Sequence, residues 1–538
     1  MTSVLPRTEL QLEIDGGSLT IEDLVAVARG GVFAGLAHDA IGRIEAARDL
    51  KQDLIDREVP IYGVTTGFGD SAHRQISPSK TAELQQNLLR DLGCGTGPIA
   101  APDVTRATML LRANCLSKGN SGVRVELIER LLSLLNGDVL PQIPERGSCG
   151  ASGDLVPLSY IGSALVGEVD VLAHGELRPA ADVLAELGLE PFELEAKEGL
   201  GLVNGTSFIT AFAALAVADA RDLADVSDLA TAMASEALLG NRGHFNAFLF
   251  EAKAHPGMIE SARVIRGLLA DSQLALDSEE IFAGEDLAGR EYLELSRQVQ
   301  DRYSIRCAPH INGMLRDTLD WATRWVEIEM NSSDDNPLFD VGSGRVQSGG
   351  NFYGGHMGQA MDSLKVALAN LCDLMDRQLE LVVDEKFNRG LTPNLIPFYG
   401  PDSPEAGLHH GFKGMQLSCS AMTAEALNRS NPATVHSRST EAHNQDKVSM
   451  ATIAARDARS IVELAQNVAA IHLLAVTQAF DLRDPAKAGP VTRAAHDLIR
   501  TRVPFMSGDR RMDVDIRAVV ELIPELARIA RAGATPLV

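Results

Sequence analysis

The sequence predicts a mainly α-helical protein built on a bundle of long helices, with a small mixed region towards its N-terminus. Three observations carry this. Leu, Ala and Val supply most of the apolar content, which is 45% of 538 residues against 4% aromatic, and that balance favours helices over sheets. Beyond Lys197, three stretches hold an apolar stripe at helical spacing, free of internal proline, for longer than a compact domain normally needs. Before Lys197 the periodic segments are shorter and are cut by glycine and proline clusters.

Residues 1–35 read as a short mixed segment. Ile41, Ile44, Leu50, Leu54 and Ile55 recur at helical spacing and stop at Pro60. The stretch IYGVTTGFGD then packs three glycines and two threonines into a loop. From Lys80 to Asn136 the pattern is helical, broken at GCGTGPIAAP, and PQIPERGSCGASGD ends it. The three long stretches follow. The first runs about Gly205–Gly240. The second runs about Gly358–Lys386, with Met361, Leu364, Leu368, Leu371, Met375 and Val382 on one stripe. The third runs about Asp446–Leu482, with Met450, Ile453, Ala454, Ile461, Leu464 and Val468. Such lengths suit a bundle shared between subunits. Shorter helices, with a break at Pro504, close the chain. There is no repeat and no low-complexity linker. The expected division is 1–200, an N-terminal region; 201–485, the central bundle; and 486–538, C-terminal short helices.

Composition excludes several function classes. A formal charge of −24 argues against nucleic acid as a partner. The six cysteines are scattered and none forms a C-x-x-C pair. They read as free thiols of a reducing, cytoplasmic compartment rather than as a zinc site or disulfide framework. No His, Cys or carboxylate cluster has metal-ligand spacing. The N-terminal MTSVLPRTELQLEID lacks the basic and apolar regions of a secretory signal. No uninterrupted apolar run of about 18 residues indicates a membrane span.

One tripeptide carries chemistry. In GSCGASGDLVPLSYIG, Ala151-Ser152-Gly153 can cyclise on itself. The Gly153 nitrogen attacks the Ala151 carbonyl, and loss of water closes a five-membered ring. Loss of a second water from Ser152 leaves an exocyclic methylene. Glycine presents an uncrowded amide nitrogen, serine carries a β-leaving group, and alanine lets the turn close. The product is 4-methylidene-imidazole-5-one (MIO), an electrophile that no ordinary side chain provides. Ala-Ser-Gly arises by chance in roughly one chain in five of this length, so it needs support.

The support is a set of separate motifs in one order: PIYGVTTGFG, GSCGASGDLVPLSYIG, KEGLGLVNGTS, YSIRCAP, NSSDDNPLF, SGGNFYG, GFKGMQLS and TEAHNQDKVSM. From about Tyr62 to Leu482 the chain resembles the MIO-dependent aromatic amino acid ammonia-lyases and 2,3-aminomutases, which include histidine, tyrosine and phenylalanine types. The resemblance implies an all-α bundle of the ammonia-lyase (fumarase/aspartase-like) type. It also implies a homotetramer whose sites draw on three chains, and no external cofactor. Removing ammonia and a β-proton from an α-amino acid needs a base over the β-carbon. Tyr62 matches that base, in a glycine-rich loop that could close as a lid, provided its pKa is pulled down by positive charge or dipoles.

The resemblance assigns further roles. Arg306 would grip the substrate carboxylate as a bidentate partner, and Tyr303 would sit beside the prosthetic ring. Asn204 would hydrogen-bond the prosthetic carbonyl or the carboxylate. Asn336 would help fix the carboxylate region, and Asp154 would assist cyclisation. Glu441, Asn444 and Gln445 match a segment that closes the site from another subunit. Lys413, in GFKGMQLS, resembles the run of phenylalanine ammonia-lyases, as does TEAHNQD, and the expected likeness is to the bacterial phenylalanine enzymes.

Ring selectivity falls at Asp91-Leu92, where phenylalanine types carry Phe-Leu, a common tyrosine type His-Leu, and histidine types Ser-His. Leu92 argues against histidine. Asp91 suits a ring bearing a donor, such as a phenol or aryl amine. Alternatively it turns aside into a salt bridge with Arg90 or another base. His310 stands where the family usually has Gln, either packed or in a direct role. Tyr353 and Gly355 depart from an NFMGQ-like pattern and make the pocket more polar. The leading expectation is a lyase giving a trans-aryl acrylate. The alternatives are a 2,3-aminomutase giving a β-amino acid and an inactive helical homologue.

Overall fold

The computed structural model describes residues 12–533. Most of the N-terminal stretch read above as lacking a signal lies outside them. Four long helices dominate: α1 (Ser207–Ala237), α2 (Ala308–Met330), α3 (Gly355–Val383) and α4 (Ala451–Arg483). Three of them meet the expected stretches to within a few residues. The ends are set by local chemistry. Beyond α1 the Gly240 N–H returns to the Ser235 carbonyl at 2.7 Å and closes the last turn. Asp484, at φ 113°, stops α4 ahead of Pro485.

The stripe expected on α3 is the buried one. Met361, Leu364, Leu368, Leu371 and Val382 are 0% exposed. On α4 the core face is richer in alanine than expected. Ala451, Ala454, Ala455, Ala458, Ile461, Val462 and Ala465 are buried, while Ile453 and Leu464 are half-buried. Small side chains let neighbouring backbones approach closely, so the contact face is broader than a Leu/Ile stripe. By length and composition α4 could cross a membrane, but 72% of its most apolar window is buried in the protein. That is the signature of a core helix. The sequence reading did not single out α2. Its buried residues, Leu315, Leu319, Ala322, Val326 and Met330, are spread among charged neighbours that dilute the pattern.

The mixed N-terminal region consists of short helices and small sheets. Leu12–Ile14 pairs in parallel with Ala34–Leu36, and Thr96–Ile99 pairs antiparallel with Pro144–Arg146. A three-stranded sheet is built from Leu140–Pro141, Asp170–Ala173 and Glu176–Pro179. The hairpin Leu338–Asp340/Arg345–Gln347 follows α2. The break expected at GCGTGPIAAP is therefore partly a strand. The helix predicted around residues 41–55 is His38–Asp56. Near the C-terminus Pro490–Arg500 and Asp513–Gly533 are helical, on either side of Pro504.

Contacts group the chain into two compact units. One comprises the described part of Met1–Ala218 with Ala322–Asp362 and Pro432–Arg459. The other comprises Asp219–Trp321, Ser363–Asn431 and the described part of Ser460–Val538. Neither is a consecutive stretch of sequence. The first contains the tripeptide.

Candidate active site

Residues 148–154 form a tight loop whose backbone only small residues tolerate. Gly150, Ser152 and Gly153 have φ of 76°, 53° and 75°, a left-handed conformation that is costly for serine. A Cβ on Gly153 would lie 2.0 Å from the Gly205 carbonyl oxygen, so only glycine fits there. The Asp154 N–H donates to that same oxygen at 2.7 Å. This fixes the tripeptide against Asn204-Gly205-Thr206, the turn that leads into α1. From the other side Met450 N–H donates to the Cys149 carbonyl at 3.0 Å.

Asp154 is fully buried beneath the loop. It accepts hydrogen bonds from Ile209 N–H at 2.7 Å, Thr452 Oγ1 at 2.8 Å and Ser148 Oγ at 3.2 Å. Burial raises its pKa to about 7, against the lowering effect of those donors. A carboxyl that can hold or release a proton near neutrality, one residue past the tripeptide, suits an acid–base partner for loss of water.

Ser152 is held at both ends. Gln445 Nε2 donates to its hydroxyl at 3.2 Å, and Asn204 Nδ2 donates to its carbonyl at 3.4 Å, so the Glu441–Gln445 segment meets the tripeptide of its own chain and not, as the motif implied, that of another subunit. Asn204 Oδ1 is buried without a partner. An orphaned acceptor of this kind is costly unless a ligand or prosthetic group satisfies it. The strained tripeptide, the buried acid and this orphan together fit an MIO group at Ala151-Ser152-Gly153.

A cavity of about 280 Å³ opens over the loop, at the low end of the size range for small-molecule sites. Its walls include Tyr62, Ala151, Ser152, Asn204, Asn336, Tyr353, Asn444, Gln445 and Lys447. Asn336 is held by a hydrogen bond from Gly349 N–H to its Oδ1 at 2.8 Å. Lys447 Nζ donates to the Tyr353 hydroxyl at 3.3 Å. Tyr62 Oη accepts from Gly69 N–H at 3.0 Å, and Asp70 N–H donates to Glu441 Oε1 at 3.0 Å. The Glu441 carboxylate lies so close to Gly69 that a Cβ there would meet it at 2.0 Å.

The sequence profile of the aromatic amino acid lyase family matches residues 19–501. The chain belongs to the aromatic amino acid lyase family. It is accordingly a carbon–nitrogen lyase of the family whose members make MIO from their own backbone. It is 40% identical over 514 residues to a histidine ammonia-lyase of Stigmatella aurantiaca, covering 95% of this chain and 96% of that one. It is 37% identical over 521 residues to the MIO-dependent tyrosine 2,3-aminomutase of Streptomyces globisporus, covering 95% and 94%. The crystal structure of tyrosine aminomutase from that organism superposes with a TM-score of 0.91 at 36% identity, covering 97% of this chain and 98% of that one. These relatives do not single out the phenylalanine type that the sequence motifs favour.

Other positions read from the lyase motifs fall elsewhere. Tyr303 and Arg306 belong to the second compact unit and line a separate cavity with Gln298–Arg302. The Arg306 guanidinium stacks 4.7 Å from the Tyr303 ring centroid and donates to the Asp301 carbonyl at 3.0 Å. Lys413 is exposed at the start of the helix Lys413–Arg429. His310 packs on Phe250, ring centroids 5.6 Å apart, and burial lowers its pKa. Asp91 and half-buried Leu92 end the helix Thr81–Leu92 outside the cavity walls. Asp91 is exposed and does not pair with Arg90. Arg90 grips Glu168 through three bonds, of 3.2, 3.0 and 2.5 Å. The expected depression of the Tyr62 pKa is also absent within one lyase chain. Burial and then Glu441 push it up, and only Gly69 N–H opposes them.

Sequence reasoning missed Lys447 on the cavity wall and the support behind the Asn204 turn. There the buried Arg112 donates to the Asn204 carbonyl at 2.8 Å and to Asp334 Oδ1 at 2.7 Å. A lone arginine inside the apolar run MLLRANCL was the available signal, since buried charges must be paired.

Proposed function

We propose that the chain is an ammonia-lyase for an aromatic L-α-amino acid of the phenylalanine/tyrosine type whose ring carries a polar substituent. The product is the trans-aryl acrylate. The observation that carries this is the strained Ala151-Ser152-Gly153 loop facing the same cavity as Tyr62. Once cyclised, the tripeptide offers an electrophilic carbon to the substrate amine. Tyr62 Oη takes the β-proton, Arg306 and Asn336 bind the carboxylate, and Tyr303 assists at the ring. Asn204 and Gln445 orient the tripeptide, and Asp154 serves its formation. Glu441 and Asn444 close the site. Arg306 and Tyr303 come from another copy of the chain, in a cytoplasmic homotetramer.

The polar ring is supported by the Tyr353 phenol and Lys447 ammonium on the cavity wall; Asp91, outside those walls in one chain, bears on it only as the selectivity position of the sequence motif. Leu92 stands where histidine types carry His. Polar wall groups discriminate against substrates that leave them unpaired. Likeness to a tyrosine aminomutase favours a second reading, in which ammonia is returned to the β-carbon.

The test is acrylate absorbance and ammonia release with L-phenylalanine, L-tyrosine, 4-amino-L-phenylalanine and L-histidine. The expected best substrates are the phenol and aryl amine, with Ser152→Ala inactive on all and Asp91→Phe shifted towards phenylalanine. A β-amino acid without matching ammonia would establish the aminomutase. Turnover of histidine alone would refute the ring assignment.

A further inference from the structure

A single hydroxyl lies between two carboxyl groups behind the Asn204 turn. Thr206 Oγ1 is 2.6 Å from Glu329 Oε1 and 2.8 Å from Asp334 Oδ2. One hydroxyl has one proton to give. Both contacts can be hydrogen bonds only if one carboxyl is itself a donor. Asp334 already accepts from Arg112 at 2.7 Å, from Cys115 Sγ at 2.8 Å and from Thr206 N–H at 2.9 Å. It is committed as the acceptor, so the donor is Glu329.

Two features of the surroundings agree. Glu329 is the penultimate residue of α2, at the negative end of the helix, where an anion is disfavoured. The charged groups facing it are Asp334 and Asp154, both acidic, and with burial they push its pKa to about 7. Arg112, the nearby cation, is spent on Asp334 and the Asn204 carbonyl.

We propose that Glu329 is a positioning residue that works as a neutral acid: it donates to Thr206 Oγ1, so that the Thr206 hydroxyl donates to Asp334 and the Asn204-Gly205-Thr206 turn is locked against the tripeptide. The turn has no slack. A Cβ on Gly205 would lie 2.2 Å from Arg112 Nη1 and 2.7 Å from Asp334 Oδ1. Its other face carries the Gly205 carbonyl bonded to Asp154 N–H and the Asn204 amide on Ser152. Ionising Glu329 would set two anions against one hydroxyl and release Thr206. The proposal rests on the role given to Asn204 above.

The experiment compares Glu329→Gln, Glu329→Ala, Asn204→Ala and the Glu329→Ala/Asn204→Ala double variant as full-length proteins. It reads near-ultraviolet absorbance of the cyclised tripeptide and the pH profile of kcat. Gln is nearly isosteric and donates at every pH. Turnover of the unsubstituted protein is expected to fall as pH rises and Glu329 ionises; Glu329→Gln is expected to keep the absorbance and neutral turnover and to lack that fall, with Asp154 unchanged in both proteins. Glu329→Ala is expected to lose on the order of 100-fold in kcat, as small misplacements do. The double variant should be no worse than Asn204→Ala, because the two act as one unit. Equal damage from Gln and Ala, or additive losses, would overturn the proposal alone. An Asn204→Ala protein with normal absorbance and turnover would overturn the role of Asn204 and the proposal with it.

Discussion

Tyr62 is the residue on which the proposed chemistry turns, and its surroundings oppose the charge it needs. Tyr62 is half-buried, and burial and then the Glu441 charge raise its pKa, opposed only by the Gly69 N–H that donates to its hydroxyl at 3.0 Å. Removing that charge in Glu441→Gln lowers the Tyr62 pKa. A base must be deprotonated to act, so the acid limb of the kcat/KM profile should move to lower pH. An unmoved limb would mean that Tyr62 is not the base or that Glu441 does not face it in the working enzyme. Tyr62 itself was legible from its glycine-rich loop, and Ala151-Ser152-Gly153 from residue chemistry. The direction of the Tyr62 shift was not, because it depends first on burial in the folded chain and then on a carboxylate 371 positions beyond Asp70 that packs on a glycine. Asp91 shows the converse: its unusual identity was plain, but whether it faces a ring is a matter of assembly that local pattern does not encode.

At the scale of elements, the stripe on α3 was legible because long apolar periodicity has one inexpensive solution, burial of that face, whereas α1 is buried almost all round. On α4 alanine replaces large side chains, and periodicity in Leu and Ile alone missed part of its core face. That helix also hides a polar residue. His472 is fully buried, both ring nitrogens lack partners, and burial lowers its pKa to about 3 from an ordinary 6.5. The folded state therefore binds fewer protons than the unfolded chain as pH falls below 6.5. Stability is lost progressively from that pH down towards 3. At pH 5 this residue should cost about 2 kcal/mol relative to neutrality. His472→Met, of similar size and apolar, should remove that loss, as measured by urea unfolding at pH 7 and pH 5. Equal acid sensitivity in the two proteins would mean that His472 already carries a proton in the fold.

At the scale of the whole molecule, the two compact units are woven from alternating segments, which consecutive composition cannot reveal. The family membership was legible from eight motifs in order, whereas subunit sharing followed only from the resemblance. It leaves one question that solution experiments answer directly. Tyr62, Ser152 and Gln445 line the cavity over the tripeptide, while Tyr303 and Arg306 line another with Gln298–Arg302. If each site takes Arg306 from a second copy, a Tyr62→Phe chain and an Arg306→Ala chain, each inactive alone, carry complementary defects. With equal co-expression and random assortment, each site draws an intact Tyr62 and an intact Arg306 independently. About a quarter of the sites should then be wild type. Purified mixed oligomers should recover about that fraction of wild-type kcat, at the wild-type KM. No recovery, in oligomers shown to contain both chains, would mean that Tyr62 and Arg306 must come from one polypeptide, and the shared-site arrangement would fall.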